Sequence, residues 1–307
     1  MQEKGFRNIS TDGLPVLASG VHGTVFRMAE GEIVKLYNPE ISPEQVEKEY
    51  RLSREVFRLG IPTPEALGTV ACNGRYGIIF GEVRGETLGY AIVAEPGKAG
   101  AYAERYAVLA RKLHGARGEK TVFPELKTEL KKALPRLEPF CSDGDLELLE
   151  DLIGCIPEAD RLLHGDLHPG NIMVQDGELL LIDLPEMKRG IPKWDLAAIY
   201  RDMIIGPMFP TEALENSIGM KADLITETGR LFFRNYTGLE GGELQAFMDA
   251  LLPLYGMNTV FTLAMAEDRS PEVCANLIPM LMTEAVRKHE EELRAMLATN
   301  DEGDIRT

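Results

Sequence analysis

Apolar and polar positions along the chain change their period near residue 80. Before that point they fall in short runs separated by turn residues. VFRM (25–28) and IVKLY (33–37) flank Ala29-Glu30-Gly31-Glu32, which predicts a hairpin. ALGTVA (66–71) and YGIIF (76–80) flank Asn73-Gly74, a second hairpin turn. Between these pairs, EQVEKEYRLSREVFRL places Val46, Tyr50, Ser53 and Phe57 on one helical face, widened by Leu52, Val56 and Leu59. Ser42 suits the cap of that helix and Pro43 its first turn, while Gly60 and the following IPTP end it.

Past EVRGETLG the spacing becomes helical. Helices are predicted around 101–114, 124–138, 144–153, 194–204, 221–236, 243–252 and 273–298. Only IMVQDGELLLI (172–182) interrupts them, as two short strands about Asp176-Gly177. The most apolar long window, 250–266, contains Pro253, Gly256 and Asn258 and is short for a membrane span, so a buried helix pair is expected there. The class predicted is α+β with two lobes. Residues 1–83 form a small antiparallel sheet with one long helix, and residues 84–307 form a larger, mainly helical lobe. The change-over falls at about 79–88.

Composition narrows the function. At 307 residues the chain can bury two modest cores, and its 44% hydrophobic content is ordinary for a globular protein. A formal charge of −16 argues against a nucleic-acid partner, which needs basic surface for phosphates. Cys72, Cys141, Cys155 and Cys274 show no C-x-x-C spacing, which suits reduced thiols rather than a disulfide frame or a zinc site. MQEKGFRNISTDG lacks the apolar core of a signal peptide. A cytoplasmic protein with no membrane association is expected.

The chemistry concentrates in LLHGDLHPGNIMVQDGELLLID (162–183). His164, Asp166 and His168 alternate as a metal cluster would, but Pro169-Gly170 breaks any strand there, and Asn171 and Asp183 stay unexplained by that reading. Phosphoryl transfer explains more of the segment. Asp166 can take the proton of an attacking hydroxyl, and Asn171 and Asp183 supply hard oxygen ligands for magnesium across the predicted hairpin. His164 is assigned to holding the loop. His168 has two open roles, contact with the phosphoryl group and orientation of Asp166 or the loop.

This segment resembles the catalytic loop and metal-binding strand of the aminoglycoside phosphotransferase/choline kinase group, small-molecule kinases related to protein kinases. The resemblance implies a protein-kinase-like fold, with residues 1–83 binding nucleotide and residues 84–307 carrying the catalytic loop and substrate-binding helices. It implies ATP, or GTP in its place, as co-substrate and Mg2+ as cofactor. Further parts match in order. Gly20 and Gly23 resemble a shortened glycine loop over the phosphates. Lys35 corresponds to the phosphate-gripping lysine, and Glu49, eleven residues before Gly60, to its glutamate partner, with Glu47 and Glu55 as competitors. Gly81 and Val83 align with the backbone groups that read adenine, and Asp195 in KWDLA with the aspartate that steadies the catalytic loop. From Asp183 to Asp195 there are only twelve steps and no A-P-E motif, which leaves no peptide platform. A small hydroxyl acceptor, such as an aminoglycoside, an amino alcohol or a related metabolite, is therefore favoured over a protein. A non-catalytic nucleotide-binding regulator on the same fold is the alternative, with a metal-dependent hydrolase behind it.

Overall fold

The computed structural model describes residues 5–20, 23–266 and 270–299. Strands β1 (Arg7–Asn8), β2 (Val16–Gly20), β3 (Gly23–Ala29) and β4 (Glu32–Tyr37) precede helix α1 (Pro43–Arg58). β5 (Ala66–Cys72), β6 (Arg75–Gly81) and β7 (Glu86–Thr87) follow. Helices α2 (Leu88–Ala94), α3 (Ala99–Gly115), α4 (Leu126–Ala133) and α5 (Asp143–Cys155) lead to β8 (Arg161–Leu163). Next come β9 (Ile172–Gln175), β10 (Glu178–Leu181) and β11 (Lys188–Gly190). The remaining helices are α6 (Lys193–Tyr200), α7 (Glu212–Ile218), α8 (Ala222–Thr237), α9 (Gly241–Ala250), α10 (Leu252–Met265), α11 (Pro271–Leu281) and α12 (Glu290–Ala298).

The chain divides into two compact units. The first joins the residues up to Thr87 with Asn171–Pro185, and the second joins Leu88–Gly170 with the described residues from Glu186 onward. In the first unit a six-stranded sheet has the order β1-β5-β6-β4-β3-β2, antiparallel except that β1 runs parallel to β5. Local chemistry sets its turns. Gly31, Asn73 and Gly74 all take positive φ (79°, 49° and 79°), the conformation that tight hairpin turns require and that glycine and asparagine tolerate. A reciprocal capping box between Ser42 and Gln45 starts α1, and Gly60 at φ 73° lies just past its end. The helix buries Val46, Leu52 and Val56 against the sheet, each burial contributing roughly 1.5–3 kcal/mol. Phe57, expected on that face, is instead 45% exposed, because Ser53 and Val56 fill the last turn of the buried stripe.

The division differs from the boundary read in the sequence, which placed all of 84–307 in the helical lobe. β9 pairs with β7 (Glu86↔Val174, Thr87↔Met173) and with β10, making a second sheet in the first unit. The Leu181 amide donates to the Pro62 carbonyl at 2.8 Å, and the Thr63 hydroxyl donates to the Leu181 carbonyl at 2.8 Å. A Cβ on Gly85 would lie 1.8 Å from the Val174 carbonyl oxygen, so this close approach needs glycine. Pairing between residues so far apart in sequence leaves no local pattern to read.

In the second unit, helices enclose a core that includes Leu126, Leu149, Leu152, Trp194, Met257 and Phe261. Residues 250–266 do not form the expected helix pair. They contain the single helix α10, with Pro253 in its first turn and Gly256 packed where a Cβ would come within 2.3 Å of the Ala285 methyl. The helix predicted over 273–298 is broken by a π turn at Met282–Val286 and a 3-10 turn at Arg287–His289. β8 and β11 form a short antiparallel pair not anticipated among the helices. Among the described residues no helix is long and apolar enough to cross a membrane.

Candidate active site

The first unit brings together the charged residues that the sequence placed far apart. β4 carries Lys35 toward α1 and the segment after β10. Its ammonium lies 2.8 Å from Asp183 Oδ1 and 3.4 Å from Glu49 Oε1. Burial works against the charge on Lys35, but Glu49 and Asp183 outweigh it and hold the Lys35 pKa above its ordinary value. Tyr37 completes the setting, with Lys35 Nζ 4.9 Å from its ring centroid. Burial, with the Glu49 carboxylate adding to it, pushes the Tyr37 phenol well up. Of the competing glutamates, Glu49 is buried and meets Lys35, whereas Glu55 pairs with Arg58.

Asn171 and Asp183 sit at the two ends of the β9–β10 hairpin. The Ile182 amide donates to the Asn171 carbonyl at 3.0 Å, and Asp183 adopts φ 60°, rare for a residue with a side chain. One amide oxygen and one carboxylate are hard oxygen donors, the type magnesium takes while keeping waters and phosphate oxygens. Gly20 and Gly23 face each other across the β2–β3 pair. Gly23 also has a packing reason to be glycine, since a Cβ would lie 2.2 Å from the Leu36 carbonyl oxygen. Gly81 ends β6 with its amide on the Glu65 carbonyl at 2.9 Å, and Val83 lies in the loop before β7.

The second unit shapes the loop from His164 to Gly170. Asp195, fully buried in the first turn of α6, accepts the His164 amide at 2.7 Å and the Gly165 amide at 2.9 Å. His114 Nε2 approaches the same carboxylate at 3.1 Å. Burial alone would raise the Asp195 pKa, yet the hydrogen bond from His114, then the His164 amide, hold it below the usual range. Tyr106 donates to the Leu167 carbonyl at 2.7 Å. The Asp166 amide approaches His164 Nδ1 at 3.4 Å, consistent with a loop-holding role for that histidine.

Asp166 itself is partly open, with 44% of its side chain exposed, and His168 is buried with Nε2 3.5 Å from the Asp166 carboxylate. The Gly170 amide donates to His168 Nδ1 at 3.1 Å, so the proton on a neutral ring belongs on Nε2, facing Asp166. Burial opposes the charge on Asp166, but His168, Arg201 and His164 together hold its carboxyl well below the ordinary range. Burial likewise opposes protonation of His168, yet Asp166 and then Asp202 raise its pKa. Among the described residues, no group of three or more His, Cys, Asp or Glu is placed to hold a metal ion. The alternation of His164, Asp166 and His168 is thus not a ligand cluster in three dimensions.

Several neighbours of the loop were not singled out in the sequence. Arg201 lies in a π turn (Arg201–Ile205) directly after α6, with bonds to Asp202 at 2.8 Å and to Asn258 and Thr262 at 2.9 Å. The charged pair Arg201-Asp202 inside the apolar run DLAAIYRDMII was a legible signal, because buried charges persist only when paired. Tyr106 and His114 gave none, since one tyrosine and one histidine on α3 look like ordinary core residues.

A family model described as APH, phosphotransferase enzyme family, matches residues 13–222. No curated protein matches the chain. Among solved structures, ADP-bound aminoglycoside phosphotransferase APH(2'')-Ib aligns at 17% identity over 93% of this chain and 94% of that one, TM-score 0.57. A choline/ethanolamine kinase family protein from Mesorhizobium loti aligns at 15% identity over 93% of each, TM-score 0.56. Amicoumacin kinase hAmiN, solved with AMP-PNP, Ca2+ and Ami, aligns at 16% identity over 95% of this chain and 90% of that one, TM-score 0.53. These likenesses establish a two-lobed, protein-kinase-like α+β fold.

Proposed function

The chain belongs to the phosphotransferase enzyme family of small-molecule kinases, and we propose that it moves the γ-phosphoryl group of ATP, or GTP, to a hydroxyl of a small molecule. Asp166 serves as the base. It is ionised throughout the neutral range, it is open enough to meet an acceptor hydroxyl, and it sits on a loop whose amides are pinned by Asp195. The observation that carries this reading is the pair Asp166–His168, a carboxylate kept charged beside a histidine whose Nε2 lies 3.5 Å away and whose pKa is raised by it. A residue that only accepts a proton in flight needs to be charged and aimed rather than strongly basic, because positioning and charge neutralisation dominate phosphoryl transfer.

Lys35, braced by Glu49, grips the α- and β-phosphates, while Gly81 and Val83 offer backbone groups to the base and Gly20 and Gly23 let the chain approach the phosphates. Asn171 and Asp183 would hold Mg2+, which would supply neutralisation of phosphate charge. Lys35 lies 2.8 Å from one Asp183 oxygen, so the lysine and a bound Mg2+ would share that carboxylate. His168 orients Asp166 through Nε2 and supports the loop through Gly170.

The acceptor is a small alcohol. Aminoglycosides and amino alcohols head the candidates because they are what the solved relatives handle. The test is a multiplexed acceptor screen with labelled ATP and Mg2+, run beside Asp166→Ala. Turnover of at least one acceptor that falls by about a hundredfold or more in the variant, with nucleotide binding retained, supports the reading. Nucleotide binding without turnover across the whole panel points to a regulator, and unchanged turnover in Asp166→Ala removes it as the base.

A further inference from the structure

The catalytic loop is held by Asp195, and Asp195 is itself held by a chain of buried side chains reaching across two further helices. His114, 4% exposed, occupies the last turn of α3. Its Nε2 lies 3.1 Å from Asp195 Oδ2, and its Nδ1 lies 2.7 Å from the hydroxyl of Tyr236 on α8. The two rings meet edge to face, centroids 5.7 Å apart at 73°. Tyr236 is fixed in turn. Arg111 of α3 donates to the carbonyls of Asn235 and Tyr236 at 2.5 and 3.3 Å, satisfying the open C-terminal end of α8, and its guanidinium lies 6.0 Å from the Tyr236 ring.

The proton positions along this chain follow from the acceptor at its end. A charged carboxylate can only accept, so Nε2 of His114 must carry a proton toward Asp195. In the neutral ring Nδ1 then bears the lone pair, and the Tyr236 hydroxyl donates to it. Asp195 therefore selects which nitrogen of His114 is protonated, and the Tyr236 hydroxyl, donating to the other, completes that tautomer and fixes the ring's rotation. Without that donor the buried Nδ1 lone pair loses its partner and the ring its second anchor, so its angle to Asp195 is held less tightly. That carboxylate accepts two loop amides as well, so a shift in its angle moves His164 and Gly165 directly.

We infer that His114 and Tyr236 are positioning residues for phosphoryl transfer, a relay from α8 through α3 that sets the angle of Asp195 and thereby the catalytic loop. The link to phosphoryl transfer rests on the function proposed above, whereas the link to loop order does not.

The experiment measures amide hydrogen exchange and turnover in the full chain. Tyr236→Phe should speed exchange at the His164 and Gly165 amides about tenfold, leaving the central amides of α3 and α8 unchanged. With an accepted substrate, kcat should fall about tenfold at constant KM for ATP. His114→Gln retains an N–H donor near the Nε2 position and should restore most of the exchange protection, while His114→Leu should not. Unchanged exchange at His164 and Gly165 in both Tyr236→Phe and His114→Leu overturns the relay. So does a uniform rise through α3 and α8, which marks general loosening. If the wild-type chain turns over no acceptor, the phosphotransferase reading fails while the exchange measurement still decides the relay.

Discussion

Lys35→Met tests the charge cluster of the first unit. The substitution keeps length and apolar volume but removes the cation shared by two carboxylates. At 3.4 Å to Glu49 and 2.8 Å to Asp183, each pair is worth ~5–6 kcal/mol at an effective dielectric near 20, before desolvation is subtracted. The two partners then behave differently. Asp183 has 32% of its side chain exposed and can be hydrated, so it adds little to the loss. Glu49 has 6% exposed and must either remain charged in an apolar setting or take up a proton. Removing one partner of such a buried pair costs ~3–5 kcal/mol, and the lower end, ~3 kcal/mol, is expected because Asp183 is open. The assay is urea-dependent amide exchange at β4 and β6, which reports the first unit alone. In the Lys35→Met background, adding Glu49→Gln should recover ~2 kcal/mol by removing the stranded charge. A loss below ~1 kcal/mol for the single variant, or no recovery in the double, would show that Lys35 and Glu49 are not coupled in the way the distances imply.

Three other outcomes follow from the site. The raised pKa of His168 means that its positive charge beside Asp166 is present below about pH 6.5 and is lost as pH rises through the raised value, whereas Asp166, with its depressed pKa, stays ionised well below the usual carboxylate range. Turnover should therefore decline on the alkaline side, and His168→Gln should flatten that limb; a limb that stays in place in the variant argues against His168. Asp183→Ala should abolish Mg2+-dependent tightening of ATP binding in calorimetry, while residual metal-free binding survives; undiminished Mg2+ dependence would move the metal elsewhere. Gly85→Ala must push the Val174 carbonyl out of its place, so exchange at the β9 amides should rise by tenfold or more while α10 is unaffected, and a silent variant would contradict the close approach.

What could be read from the sequence was what short-range chemistry determines. Ser42, Pro43 and Gly60 announce both ends of α1, and Asn73-Gly74 and Asp176-Gly177 announce their hairpins. A family resemblance paired Lys35 with Glu49, whose atoms lie 3.4 Å apart, but the 2.8 Å contact of Lys35 with Asp183 was not anticipated. The missed parts share a cause. β7, β8 and β11 have two or three residues each and exist only through partners distant in sequence, so no periodicity betrays them. The single helix α10 was read as two because Pro253 and Gly256 look like breaks. Proline is harmless in a first turn, and Gly256 is required by the approach of Ala285. Arg201 carried a usable signal and His114 none, because a buried charge must be explained whereas a buried histidine need not be.

The β9–β10 hairpin also has a consequence for how the chain is made. It belongs to the first unit, yet the whole of Leu88–Gly170 is synthesised between β7 and β9. At about 5–20 residues per second on the ribosome, that delay is on the order of 4–17 s, long compared with hairpin formation in microseconds. During it the six-stranded sheet can form, but β7 has no partner and Pro62 and Thr63 lack Leu181. A nascent or truncated chain ending near Thr87 therefore carries a sheet whose last contacts cannot close. The position of Asp183, and with it the lysine's nearest partner, is fixed only after the whole of Leu88–Gly170 has emerged.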